Sequence, residues 1–398
     1  MEGLSGLLAQ TSYVFPNERP ELQWSVLIVL YPYITGLVAG AFILASLVRV
    51  FNAEAVAPTY RLALLTALAF LICAPLPLMA HLGHPERGYE IMMTPHVTSA
   101  MAMFGFVYAW YLMAVLLLEI WFDFRAEMVQ WAKESKGLKR VFYAILTLGV
   151  MDVSEKAIAF DHKAGRFLTI VGIPSAVLLH GYVGFIFGSI KGNPWWSSVL
   201  MPIIFLLSAI VSGIALVLIL YVVTTRWRRV SIDVNCVNAI GRYLMFALVF
   251  DLTLEMLDMV HRFYEAGESM EILKLLSSGY LYQTIFGVQF FLGGLVPLVG
   301  LALLQASKVT PRAGINSHVG AALLVLIGVL FMRWNVVIGG QLFSKSLKGL
   351  TTYRLELIGG EGVLVAIGIF ALPFLILWIL IKILPTWHAA PEIEARAH

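Results

Sequence analysis

Long apolar runs recur from Trp24 to Leu384, each close to the roughly 20 residues that an α-helix needs to cross a hydrocarbon core. Inside lipid every backbone amide has to be bonded within the chain, so runs of this length that do not alternate in polarity are helices. The rest of the composition agrees. The chain is 60% hydrophobic and 13% charged, where a soluble chain would carry about a quarter charged residues. The expected fold is an all-α integral membrane protein, a single multi-pass domain spanning residues 1–398 in the cytoplasmic membrane.

Ten spans are predicted: 24–50, 59–80, 97–121, 139–158, 165–190, 198–224, 236–262, 280–305, 317–340 and 360–384. The fourth is the weakest, because VFYAILTLGVM is short and then meets Asp152. The linkers are brief. The longest, FDFRAEMVQWAKESKGLKR, reads as an interfacial amphipathic helix.

Several function classes drop out. A net charge of +3, spread along the chain, does not suit nucleic acid. The two cysteines, Cys73 and Cys236, are far apart and form no CxxC, so the chain is expected to hold no iron–sulfur cluster or zinc knuckle of its own. The first twenty residues lack a basic segment followed by an apolar one, so a cleaved signal peptide is not expected.

With ten spans both termini share one side, side A, together with the loop HLGHPERGYEIMMTPH (His81 to His96). Asp152, near the A end of the fourth span, is then expected beside His81, His84, Glu86, Arg87 and His96. An imidazole and a carboxylate at the polar end of a helix-lined pocket suit a quinone, whose carbonyl accepts a hydrogen bond from the histidine. The competing reading leaves Glu86–Arg87 as a surface pair, His81 and His84 as interfacial residues, and Asp152 neutralised by Lys156. The positive-inside rule gives no orientation on this layout. Arg125, Lys133, Lys136, Lys139 and Arg140 point to side B as cytoplasmic, while Arg226, Arg228 and Arg229 in TTRWRRV point to side A.

A second polar district lies in span seven. Asp251, Glu255, Asp258 and Arg262 follow i, i+4, i+7 and i+11 spacing, one narrow helical stripe. Ionisable groups inside a span are costly unless paired or hydrated, so they mark function by default. His180, Arg333, Asn335 and Glu361 are expected to join this stripe in a proton half-channel towards side B. The competing reading is a static lock of Asp251 or Asp258 with Arg333. Haem would need paired axial histidines at one depth. His180 alone sits in mid-span, since His261 and His318 lie near span ends and His388 and His398 in the tail.

The stretches PLMAHLGHPERGYEIMMTPHVTS, FDHKAGRFLTIVGIPSAVLLHGYVGFIFG, PWWSSVLMPIIFLLSAIVSGIAL and RWNVVIGGQ resemble the NrfD/PsrC family of quinone-interacting membrane subunits. The ten-span layout is most similar to its DsrP type, with likeness also to the HmcC/TmcC, QrcD and ActC types. The resemblance implies two four-helix bundles plus flanking helices, with no haem or iron–sulfur cluster in this chain. It implies menaquinone as bound substrate at a periplasmic site served by His96 and Asp152, and a ferredoxin-like iron–sulfur subunit docked over that site. A multihaem cytochrome c and a cytoplasmic catalytic module are further implied partners, along with membrane lipid. In some relatives the reaction is coupled to proton translocation. Such a chain is not catalytic alone but is the quinone-reactive subunit of an oxidoreductase. Two other classes stay open: a proton-coupled secondary transporter, and a passive membrane anchor whose buried charges serve assembly.

Overall fold

The computed structural model describes residues 24–82, 84–94, 98, 110–265, 267–276, 279–307, 310–343 and 350–387. His96, His388 and His398 lie outside them. The chain is built from α1 (Val26–Arg49), α2 (Glu54–His81), α3 (Trp110–Leu116 continuing through Leu117–Glu134), α4 (Leu138–Leu146), α5 (Glu155–Gly188), α6 (Met201–Trp227), α7 (Val234–Glu265), α8 (Gly279–Ala306), α9 (Pro311–Leu342) and α10 (Val363–Ile383). Among the described residues, seven of these helices are long and apolar enough to cross a membrane. α3 and α7 are also long but carry more charge.

α1, α2, α3 and α5 pack into one bundle, and α6 to α9 into a second. α6 lies against α1 and so joins the two, while α10 flanks α2. The junction is tight because glycines face each other. A Cβ on Gly40 of α1 or Gly213 of α6 would collide with the backbone of the other helix. Small residues of this kind let membrane helices gain close van der Waals contact where water supplies no driving force between them.

Residues 139–158 do not form a span. α4 has nine residues, about 14 Å of helix against about 30 Å of hydrocarbon. It ends in a turn where Leu148 and Gly149 take φ of 51° and 80°. α4 lies across the bundle end instead. Tyr143 is buried and donates to the Ile383 carbonyl (3.0 Å), while Leu138 and Ile145 face outwards. The fifth helix then begins at Glu155 rather than 165. Ser154 caps it by accepting from the Ala157 N–H at 3.3 Å. The linker expected to be interfacial is the continuation of α3 to Glu134, and the short amphipathic helix is α4.

Removing that crossing inverts every later helix. On side A, the Trp24 N–H donates to Gln341 Oε1 (3.2 Å), His81 Nδ1 lies 2.6 Å from Glu361 Oε2, and Asn193 Nδ2 donates to the Gly340 carbonyl at 2.7 Å. On side B, Arg49 meets Asp123 at 2.7 Å, Tyr143 meets Ile383, and Arg226 donates to Asn316 at 2.6 Å. The two basic loops that pulled in opposite directions therefore share side B. Among the described residues, side A carries scattered cations such as Arg87, Lys191, Lys274 and Arg354. The positive-inside rule now assigns side B to the cytoplasm.

Single cysteines test this arrangement in intact cells, because native Cys73 and Cys236 are buried. An impermeant maleimide is expected to label Glu86→Cys directly, but Lys136→Cys and Arg229→Cys only after lysis. Labelling Lys136→Cys and Arg229→Cys from opposite faces would restore the crossing at 139–158. The glycine junction is checked by Gly213→Val, which overpacks the α1–α6 contact at a cost of about 1–3 kcal/mol. An unchanged melting temperature in detergent would mean that the helices do not approach this closely.

Candidate functional site

The acidic stripe of α7 faces inwards along its whole length. Asp251, Glu255, Asp258 and Arg262 are all buried, while Phe250, Leu257 and Phe263 on the opposite face are exposed to lipid. At 1.5 Å per residue the stripe runs about 16 Å. Its Arg262 end lies towards side A, not side B, because of the inverted passage.

Its outer end is a closed ion pair. Arg262 Nε donates to Asp258 Oδ2 (2.8 Å) and Arg262 Nη1 to the Pro194 carbonyl (2.6 Å), with the guanidinium 5.1 Å from the Trp195 ring centroid. Ser198 donates to the other oxygen of Asp258. Further in, Glu255 accepts from Gln289 Nε2 at 3.1 Å, and Gln289 Oε1 accepts from Asn335 Nδ2 at 2.9 Å. Both amides sit in π-helical segments, Gln283–Leu295 and Asn335–Gly339. The wider turn re-aims side chains, as π segments often do at functional sites. A cavity of about 40 Å³ lies among Glu255, Asp258, Gln289 and Asn335, room for a water.

The inner end holds the deepest charge. Arg333 is fully buried, and no carboxylate lies within 4.0 Å of it among the described residues. Its Nη2 donates to Ser208 Oγ (2.7 Å), the Phe205 carbonyl (3.2 Å) and His180 Nε2 (2.9 Å), and its charge lies 4.0 Å from the Phe205 ring centroid. A guanidinium can only donate, so His180 Nε2 accepts and its proton sits on Nδ1, facing Thr35 Oγ1 at 3.4 Å. Both ring nitrogens of His180 are thus engaged. Asp251 and Glu255 are the acids within Coulombic reach of Arg333. Asp251 Oδ1, Arg333 Nε and Asn335 Oδ1 are buried without a hydrogen-bond partner among the described residues. Such groups are costly in a dry interior.

Glu361 does not join the column. It pairs with His81 at the end of α2, tying α10 to the side A loop. In that loop His84 lies 3.0 Å from Glu86, and Arg87 grips Glu90 through two 2.9 Å bonds. Those bonds hold the Glu90 carboxyl below its usual range. The His84–Glu86 and Arg87–Glu90 pairs are exposed and add little stability.

Asp152 lies at the other end of the molecule, exposed on side B. It accepts from the Ser154 N–H (2.8 Å) and Oγ (3.2 Å), which hold its carboxyl below the usual range, so the expected pair with Lys156 gives way to a turn before α5. The structure therefore does not bring Asp152 to His81, His84, Glu86 and Arg87. The lock considered for Arg333 also falls elsewhere, between Asp258 and Arg262.

A second acidic stripe escaped the sequence reading. Glu119, Asp123 and Glu127 on α3 follow i, i+4, i+8 spacing, and the last two fall in the segment expected to be an interfacial amphipathic helix. Arg61 bridges Asp123 (2.8 Å) and Glu127 (2.8 Å), and Arg49 takes the other oxygen of Asp123. Glu119 is fully buried, accepting from Thr169 at 2.6 Å and Tyr60 at 3.3 Å. Nearby, Arg125 clasps Asp161 through bonds of 2.6–3.1 Å. The signal was the spacing itself, hidden because the segment looked too polar to be a helix within the bundle.

Among the described residues no three His, Cys, Asp or Glu side chains converge as a metal site. The arrangement offers buried, hydrogen-bonded acids along α7 and a histidine–carboxylate pair on the same side of the molecule.

Residues 14–345 match the family described as "Polysulphide reductase, NrfD". A selenate reductase subunit of Mesobacillus selenatarsenatis is 30% identical over 93% of this chain and 88% of its own length. The protein NrfD of Escherichia coli is 26% identical over 81% of this chain and 96% of its own length. An Hdr-like menaquinol oxidoreductase integral membrane subunit of Archaeoglobus fulgidus is 24% identical over 84% of this chain and 74% of its own length. With its helical architecture and a family match over most of its length, this chain belongs to the NrfD family of integral membrane subunits.

Proposed function

We propose that this chain is the quinone-reactive membrane subunit of a respiratory redox complex, binding menaquinone or menaquinol on side A, the periplasmic face. The observation that supports this reading is that the Arg262 end of the acidic stripe and the His81–Glu361 pair lie on one side of the molecule. Quinol oxidation releases two electrons and two protons, and quinone reduction consumes them. A quinone head group on side A would meet both an imidazole donor and a route for protons. His96, at the end of the same loop, and His81 are the proposed donors. Glu361 beside His81 takes the carboxylate part that the sequence assigned to Asp152. The relative named a menaquinol oxidoreductase subunit supports the choice of substrate. Electrons pass to or from a ferredoxin-like iron–sulfur partner subunit docked over side A.

Within the column the residues divide by their bonding. Asp258 is saturated by Ser198 and Arg262 and acts as a structural tie. Glu255 lines the cavity, Asp251 stands one helical turn further in, and these two are the proposed proton carriers. Arg333 and His180 form the inner limit of the column.

Two measurements test this. A hydroxyquinoline N-oxide quinol analogue whose fluorescence is quenched on binding is expected to bind the purified complex saturably. Its Kd is expected to rise about tenfold in His96→Ala and in Glu361→Gln, and to stay unchanged in Asp152→Asn. Weakening by Asp152→Asn alone would overturn the side A assignment.

In the second, Asp251→Asn is expected to slow quinol turnover by about tenfold or more, within the range for a lost proton-transfer group, with analogue binding unaltered. Asp258→Asn is expected instead to lower the melting temperature, because it strips the partner from a buried cation. Loss of binding and stability in Asp251→Asn, with no separate effect on turnover, would make the whole stripe a lock.

A further inference from the structure

A cleft of about 590 Å³ opens on side B, far from the acidic column, between the end of α6, the loop after it and the starts of α7 and α9. Arg226 and Arg312 line it, above an apolar floor that includes Val230, Ile232 and Ile315. Neither arginine has an acid within 4.0 Å among the described residues. Arg226 spends one donor on Asn316, leaving most of its five N–H groups free. The nearest acid in sequence, Asp233, is already used, accepting from the Asn235 N–H at 2.8 Å and the Cys236 N–H at 3.3 Å. α9 starts at the wall of the cleft without a side-chain cap, so its positive end adds to the two guanidiniums.

We propose that this cleft binds the phosphate headgroup of an anionic phospholipid of the cytoplasmic leaflet. Two features favour a lipid over a soluble anion. The cleft sits at the membrane boundary on the basic end of the molecule, where the inner leaflet presents its negative surface. Its rim also continues into an apolar strip: Val223, Trp227 and Val230 are 52%, 60% and 49% exposed. That strip gives an acyl chain a path down α6 while the phosphate stays between the arginines. Trp387, stacked 3.8 Å from Arg228, adds an interfacial aromatic beside it. Between helices, a basic pocket of this kind ties their ends together through a shared anion, here α6 to α9.

The test uses the full chain in mild detergent. Melting temperature is measured against added phosphatidylglycerol, phosphatidylcholine and inorganic phosphate, with retained phosphatidylglycerol quantified by mass spectrometry. Phosphatidylglycerol alone is expected to raise the melting temperature saturably, and less so at high salt. Each basic residue near an anionic surface contributes about 1 kcal/mol, roughly fivefold in affinity. Arg312→Gln, which breaks no bond among the described residues, is therefore expected to raise the half-saturating concentration about fivefold. Combining it with Arg226→Gln should raise it on the order of tenfold or more and lower the retained lipid, whereas Arg226→Lys with Arg312→Lys keeps both near wild type. Equal protection of the Arg312→Gln variant, or equal protection by phosphatidylcholine, would overturn the proposal. Protection by inorganic phosphate alone, matching the lipid, would make this a free-anion site and overturn the lipid assignment.

Discussion

A helix of nine residues cannot cross a hydrocarbon core, and the position of every charge after Leu146 follows from that single length. α4 reaches about 14 Å, meets a left-handed turn at Leu148 and Gly149, and returns the chain to the side from which it came. The next helix compensates by starting early and running to 34 residues. Had residues 139–158 crossed, the α7 stripe would open to the cytoplasm and Asp152 would stand beside His81. Because they do not, the Arg262 end of the α7 stripe and the His81–Glu361 pair share side A, and the arginine-rich loops gather on side B.

The two bundles solve one electrostatic problem in two ways. In the first, cations and acids alternate within bonding distance: Arg49, Asp123, Arg61 and Glu127 form a chain whose members satisfy one another. Low dielectric makes each such bond strong and each missing one expensive. In the second, the charges are spread out. Arg333 has neutral donors and acceptors for neighbours, and no acid lies within 4.0 Å of it among the described residues. Direct ion pairs hold helices in register, whereas an acid set back from its cation keeps an oxygen without a partner among the described residues, as Asp251 does in the second stripe and Glu119 in the first. The difference lies in bonding, since both stripes have similar composition.

Much of the architecture was legible because lipid imposes simple rules. Apolar length located most of the spans, and helical spacing put Asp251, Glu255, Asp258 and Arg262 on one buried face. What failed was local. In GVMDVSEK a helix start, with Ser154 as cap, looked like a helix end with an Asp–Lys pair, since capping and i,i+4 pairing use the same residue types. In FDFRAEMVQW the charges of a buried network looked like those of a solvated linker, because sequence does not show which opposite charges will meet. Arg61 and Arg49, their partners, lie more than sixty residues away along the chain. His96 lies outside the described residues, so its part rests on sequence and family.

By itself the sequence determined that this chain is a helical membrane protein of the NrfD family, and that the ionisable stripe of α7 faces inwards. The first rests on apolar length and on the stretches that resemble the family, the second on helical periodicity, and each is readable along the chain. Only the tertiary structure decided which ends of the helices share a face, which acid is tied by Arg262 and which stands free near Arg333, that α3 carries a second buried stripe, and that Glu361 belongs to His81. The physical reason is parity. One crossing more or less leaves every helix unchanged and moves every downstream charge to the opposite side of the membrane.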